Sequence, residues 1–452
     1  MTMELGPRLQ ALLPIAVISH AHPSISKGGA EIAAHTLFLG LRKLGIPAVF
    51  IAAVPFESRD RLDLRADEHA VFYEPDTYDH VYQLGDAATL TQLRRTLAET
   101  GAKLLNFHHF LNFGINALRD LAQEPDLRTV LTLHEFLAIC HHHGQMVTRP
   151  QRSLCHAATD SACGACFPEL GWRRMGLRAD LFRDSFAAVD YFIAPSHFLV
   201  DRFVGWGLPA GRMGVIENGL ARAIPEKRPA KTGSDADTWV FGYFGQVTPF
   251  KGVDVLLDAA ARLATMPAVA GRIEIRINGN LMGVSDSFDQ KLRELTAALP
   301  FLRFLGPYEN SGVLDLMAEC DYVLTPSVWW ENSPVVIQEA FAAGRPVICT
   351  GIGGMAEKVQ DGVSGLHFRR GDAADLARVI AAAADAAAYA QLLPNIPEPF
   401  DTTEMARRYL AAFGMAARPT PTAGDPEIVA ARPQGSGIAL ARGQNKKRGS
   451  TS

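Results

Sequence analysis

Long apolar runs are missing from this sequence of 452 residues. The longest candidate, LGIPAVFIAAVPF, is too short to span a bilayer and is interrupted by two prolines, so the chain is not expected to cross a membrane. No basic cluster precedes the N-terminal stretch LQALLPIAVISHAHP, which therefore reads as a first β-strand rather than a secretory signal and places the chain in the cytoplasm. Charge of one sign is not in excess. A formal net charge of -4 gives no reason to expect nucleic acid as a partner. Cysteine is scarce, and six thiols in a large cytosolic chain are not a disulfide framework. There is no G-x-x-x-x-G-K-[ST], and GIGGMAE is not a G-x-G-x-x-G turn, so P-loop and ordinary dinucleotide sites lose support. Internal repeats and coiled-coil heptads are absent as well.

What is present is a globular composition, 48% hydrophobic and 20% charged, in a chain longer than one hydrophobic core normally supports. From Pro14 a buried strand, a glycine-rich or polar turn and an amphipathic helix alternate, as in IAVISHAH, GGAEIAAHTLFLGLRKLG and PAVFIAA. That alternation predicts a parallel sheet wrapped by helices. A second such series begins at WVFGYFGQ and includes IEIRING, LRFLGPY, YVLTPS, PVICTG and GLHFRRG. The fold class is therefore α/β, with two Rossmann-like domains facing each other across a cleft. Residues 1–224 form the first domain, with a cysteine-rich insertion at 140–166; 225–238 are a proline- and serine-rich linker; 239–399 form the second domain. Residues 400–417 read as a final helix that packs back on the first domain. The basic, Pro/Gly/Ser-rich tail 418–452 is expected to be disordered.

The stretch SVWWENSPVVIQEAF sets Glu331 and Glu339 in an apolar context. Ser333 and Pro334 have the preferences of a helix N-cap and first helical residue, which predicts a helix running to Gly344. Glu331 then falls in a strand-to-helix loop and Glu339 inside the helix, on the sheet edge where α/β proteins bind ligands. Other turns carry groups suited to a sugar diphosphate: SKGGAE with Gly28 and Gly29 at a helix start, Lys251 in FGQVTPFKGVD, and His134 ending a strand in LTLHEF. Each has a plainer reading, as a tight turn, a surface lysine and a core histidine.

Taken together, the GGAE turn, the His-acid pair of LHEF, APSHF, VIENGL, FGQVTPFKGVD and PSVWWENSPVVIQEAFAAGRPVICTGIGGMAEKVQDGVSGLHF resemble the retaining glycosyltransferases of family 4, which have the GT-B fold. The resemblance spans Ile15 to about Leu410. It implies a nucleotide-sugar donor (a UDP-, GDP- or ADP-sugar) on the second domain, a saccharide or lipid-linked saccharide acceptor on the first, and a role in polysaccharide, lipopolysaccharide or glycolipid synthesis. By that match, Lys251 contacts the diphosphate, Glu339 the ribose and Glu331 the transferred sugar, with His134 beside the reacting centre. The helix beginning at Ser333 and Pro334 offers backbone N–H groups to the anion, with Asn332 and Val335 also in the donor-binding set, and Gly28 and Gly29 close over it. No cofactor is required for catalysis. Two positions depart from the pattern: Gln246 stands where an arginine is usual, removing one positive charge, and Asn332 stands where glycine is usual.

Cys140, Cys155, Cys163 and Cys166 fall in one segment with a C-x-x-C pair. The residues leave two readings open, a structural zinc held by four thiolates or a loop with cysteines that are merely buried. The segment GWRRMGLRADLFRDSF reads either as an ordinary surface helix or as a basic helix placing Arg173, Arg174, Arg178 and Arg183 near lipid phosphates at the inner face of a membrane. The rivals to transfer are a nucleotide-sugar epimerase of the same fold and a non-catalytic carbohydrate-binding or scaffold protein.

Overall fold

The structure is a computed structural model and describes residues 5–26, 28–149, 151–220 and 238–416. Most of the linker and the tail 418–452 lie outside the described residues.

Two all-parallel sheets organise the chain. The first contains β1 (Ile15–Ser19), β2 (Ala48–Pro55), β3 (Glu68–Tyr73), β4 (Leu104–Phe107), β5 (Arg128–Thr132), β6 (Tyr191–Ala194) and β7 (Met213–Val215), in the order β3-β2-β1-β4-β5-β6-β7. The second contains β8 (Trp239–Phe244), β9 (Ile273–Asn278), β10 (Leu302–Gly306), β11 (Tyr322–Thr325), β12 (Val347–Thr350) and β13 (Gly365–Phe368), in the order β10-β9-β8-β11-β12-β13. The central strands read as continuous apolar runs because helices cover both faces of each sheet, and every residue of β1, β4, β8, β11 and β12 is buried.

Strand order fixes where a ligand can sit. β1 pairs with β2 on one side and β4 on the other, and β8 with β9 and β11, so chain direction reverses at β1 and at β8. Loops leaving adjacent strands there diverge and open a crevice at the carboxyl ends. The loops after β1, β4 and β5 carry His20, His109 and His134, and those after β8 and β11 carry Lys251 and Glu331. Gly252 shows how tightly the second set is packed: its φ is +71°, and a side chain there would collide with the Pro326 carbonyl in the loop after β11.

The last helix, Thr402–Ala416, packs against Gly29–Lys43, burying Met405, Tyr409, Leu410 and Phe413 with Val17, Leu37 and Phe50. Leu220 N–H, at the end of the first domain's described residues, donates to the Phe400 carbonyl at 2.8 Å just before the last helix. Among the described residues no single helix is long and apolar enough to cross a membrane.

Candidate active site

A cavity of about 300 Å³ lies between the two domains, lined by His20, Gly29, Glu31, His109, His134, Glu135, Asn218, Ser333 and Val335 among others. Two helices from opposite domains begin at it. Gly28 is the N-cap of Gly29–Lys43 and Pro334 that of Val335–Ala342, and neither start has a side-chain cap. Uncapped helix starts leave N–H groups unsatisfied and carry the positive end of the helix dipole, so two opposed ones make a site for an anion.

The helix predicted from Ser333 begins later, at Val335, with Pro334 rather than Ser333 at the cap. The reason is a stronger acceptor. Ser333 Oγ donates to Glu217 Oε1 at 2.5 Å, a charge-assisted bond, instead of accepting from the helix N–H groups. The same carboxylate oxygen accepts from Gln338 Nε2 at 2.7 Å, and Lys358 pairs with the other oxygen. Asn332 also reaches across the cleft, its Nδ2 donating to the His134 carbonyl at 3.0 Å.

Lys251 and Glu331 meet each other rather than standing apart as two ligand contacts. Lys251 Nζ lies 2.6 Å from Glu331 Oε1, which also accepts from Ser327 Oγ at 2.9 Å and Trp329 Nε1 at 2.8 Å. All three bonds fall on Oε1. Burial alone would raise the Glu331 carboxyl, but the Lys251 charge and these donors outweigh it and hold the carboxyl below its ordinary value. Neither residue lines the cavity, whereas Gly29, His134, Ser333 and Val335 do. Glu339 is buried in its helix, and Gln246 is exposed on the loop after β8.

Histidines and acids dominate the first-domain wall. His109 accepts from the Leu111 N–H at Nδ1, so its Nε2 carries the proton and donates to Glu135 Oε1 at 3.0 Å. His20 is held neutral, its value lowered to about 3 by burial and then by His109 and His108. His20 Nδ1 and Asn218 Oδ1 are buried without a hydrogen-bond partner among the described residues. Glu31, whose Oε1 accepts from Ser26 Oγ at 2.5 Å, places its carboxylate against Gly28, where a side chain would clash with it. His20, Glu31, His109, Glu135, Glu217 and Asn218 were not singled out from the sequence. GGAE, LHEF and VIENGL contained four of them, but nothing local marks which residue of a turn faces the cleft.

The four cysteines line a separate cavity of about 60 Å³ within the first domain. Burial raises the Cys163 thiol to about 11, reinforced by Cys140, Cys155 and Cys166 nearby. The donor types suit zinc, yet among the described residues no three His, Cys, Asp or Glu side chains stand at metal-binding spacing. Arg178, on the surface in both readings of its helix, is instead buried, bonding the Val81, Leu137 and Ala138 carbonyls. A guanidinium with three carbonyl partners ties loops together and cannot reach lipid.

Residues 27–222 match the family described as Glycosyltransferase Family 4, and residues 238–385 match Glycosyl transferases group 1. The chain belongs to the family 4 and group 1 glycosyltransferases. A D-inositol 3-phosphate glycosyltransferase from Geodermatophilus obscurus is 35% identical over 170 residues, 36% of this chain and 38% of that protein. One from Stackebrandtia nassauensis is 33% identical over 154 residues, 33% of this chain and 34% of that protein. The chain thus spans less than half the length of these curated relatives. Solved structures match nearly end to end. HepE of Anabaena in complex with UDP has a TM-score of 0.63 at 20% identity, covering 89% of this chain and 99% of that one. Sucrose-phosphate synthase of Thermosynechococcus elongatus has a TM-score of 0.63 at 18% identity, covering 89% and 96%. This glycosyltransferase fold is GT-B, with the cavity in the interdomain cleft.

The Lys251–Glu331 pair gives a pH-dependent prediction. A depressed carboxyl contributes stability that is present above its unfolded pKa and is lost as pH falls through the folded value. In Lys251→Met, burial dominates and raises the Glu331 carboxyl, so the variant should lose about 1.5–3 kcal/mol at neutral pH, the size of a hydrogen bond to a charged group. The difference from wild type should shrink on acidification below the carboxylate range. Urea unfolding of both proteins across that range checks it, and a pH-independent difference would contradict the pairing.

Proposed function

We propose that the chain transfers a glycosyl group from a nucleotide-sugar donor to an acceptor hydroxyl with retention of configuration. The observation that carries this reading is the pair of uncapped helix starts, one from each domain, opening on one cavity whose remaining wall is hydrogen-bonding side chains. The helix starts suit a diphosphate, and His20, Glu135 and Asn218 suit sugar hydroxyls. Charge growing on the leaving diphosphate is stabilised by fixed N–H dipoles, and no protein nucleophile is needed in a mechanism where that diphosphate helps deprotonate the acceptor. Lys251 orients Glu331 towards the transferred sugar, Glu339 holds the ribose, and His134 contacts the sugar. Family membership supports those roles and the retaining outcome. A fold neighbour was crystallised with UDP-glucose, which makes that compound the first donor to test.

A lipid-linked saccharide acceptor, met at the inner face of a membrane, is the finer reading. It is supported by helix Gly171–Ala187, which leaves Trp172 and Leu177 exposed by 59% and 60%, with Arg173 stacked 5.3 Å over the Trp172 ring. For the thiol cavity we infer a structural zinc that Cys140, Cys155, Cys163 and Cys166 would hold, supported by all four residues lining one cavity.

Three measurements test these readings. Glu331→Gln should lower kcat, because it removes charge beside a sugar that becomes cationic only in the transition state. Glu339→Gln should instead raise donor KM, at a cost of about 1.5–3 kcal/mol; unchanged kinetics in a folded Glu331→Gln protein would sink its assignment. Vesicle sedimentation should increase with anionic lipid and fall with salt and in Trp172→Ala/Leu177→Ala, and binding indifferent to all of these removes the membrane reading. Protein reduced and exposed to zinc should hold about one metal per chain and lose thermal stability on chelation, whereas metal-free protein indifferent to chelator ends the zinc assignment.

A further inference from the structure

The hydrogen-bond chain behind His134 determines which of its ring nitrogens carries the proton. Asn106, in β4, is fully buried, and its Nδ2 faces the Val130 carbonyl at 3.4 Å and Thr132 Oγ1 at 3.0 Å. A carbonyl can only accept, so this orientation of the amide is fixed and Oδ1 points the other way, 3.0 Å from His108 Nε2. The amide oxygen also only accepts, and His108 Nε2 must carry a proton. His108 has no exposed surface, and burial lowers its imidazolium pKa to about 3, so the ring is neutral and Nδ1 is bare. That bare nitrogen lies 3.0 Å from His134 Nε2. Since it can only accept, the proton between the rings belongs to His134 Nε2. Burial, with His108, His109 and His20 close by, keeps His134 neutral too. Its Nδ1, on a residue that lines the interdomain cavity and bonded by no group among the described residues, is a lone pair.

We propose that Asn106 and His108 are positioning residues that lock His134 in the Nε2–H tautomer, so that it presents the cavity with an acceptor and recognises a hydroxyl rather than a phosphate oxygen. Two features hold the relay rigid. The His108 and His134 rings lie within 26° of coplanar with centroids 5.2 Å apart, and Tyr409 of the last helix stacks on His108 at 11° while its hydroxyl lies 3.4 Å from Thr132 Oγ1. A diphosphate oxygen cannot donate to a lone pair, so the anion is left to the helix starts and His134 to the sugar. The identity of that hydroxyl as a sugar's rests on the proposed transfer, but the tautomer does not.

The test uses the full chain labelled with ¹⁵N-histidine, with the His134 signals assigned by difference against His134→Gln. Long-range proton–nitrogen correlation near neutral pH should show Nε2 protonated and Nδ1 bare. Asn106→Asp places a carboxylate on His108, favours its imidazolium, and so hands His134 Nε2 a donor; His134 should switch to the Nδ1–H form. His108→Phe removes the acceptor and should leave a mixture. With UDP-glucose, the first donor to test, both variants should lose roughly fivefold to tenfold in kcat/KM, the worth of about one hydrogen bond. An Nδ1–H tautomer in the wild type, or a His134 tautomer that ignores both substitutions in folded protein, overturns the relay. A relay seen by resonance in a protein that turns over no sugar nucleotide upholds this inference and refutes the proposed transfer.

Discussion

The carboxylate of Glu217 holds the site together. It leaves the first domain just after β7 and takes bonds from Ser333, Gln338 and Lys358, all on the second. With 22% of its side chain exposed, this carboxylate is largely withdrawn from water and offset by its pairing and hydrogen bonds, so removing a partner would expose the cost of its burial. The other bonds across the cleft are of the same kind. Glu357 accepts from the His197 and Phe198 N–H groups at 2.8 and 2.7 Å, capping with one domain's carboxylate a helix of the other. Trp330 packs on Phe198 while its indole N–H donates to the Cys155 carbonyl at 3.0 Å. Asn332, in place of the usual glycine, adds the bond to the His134 carbonyl, and so a departure from the family pattern serves the join between the domains.

The same geometry explains how a cavity with few cations can suit an anion. Its described lining includes Glu31 and Glu135 but no lysine or arginine, and burial keeps His20 and His134 neutral. Lys251 is engaged with Glu331, and Gln246 adds no charge. What remains positive is fixed in the backbone, at two helix starts that titration does not remove. Neutral histidines are then an advantage, since imidazolium groups would compete for the carboxylates of Glu31 and Glu135 and close the cavity on itself.

Strands with a run of buried aliphatic residues were legible in the sequence because period and burial are local properties. All six strands of the second sheet were read, and β3, EHAVFY, was missed because its edge position leaves four of its six residues partly exposed. The placement of His134 and Glu331 in loops at strand ends was within reach for the same reason. Long-range pairing was not. Nothing near Ser333 announces that a glutamate more than a hundred residues earlier will take its hydroxyl away from the helix, and nothing near Arg178 shows that three carbonyls surround it. Glu217 and Lys358 each look like ordinary surface residues until the domains are brought together. The basic helix was misread at Arg178 because its sequence gives charge and period, whereas burial depends on the loops laid over it.

These long-range pairs also set the limits on how the site can move. The Glu217, Glu357 and Asn332 bonds all join one domain to the other, so any parting of the domains breaks the three together. In the proposed transfer, a donor diphosphate between the helix starts would give both ends a common anion and offset what opening loses, and closure would bring the His134 lone pair to the sugar. In the proposed transfer, charge recognition at the helix starts and sugar recognition at His134 meet through the domain interface, so the interface contacts belong to the site although none of them need touch the substrate.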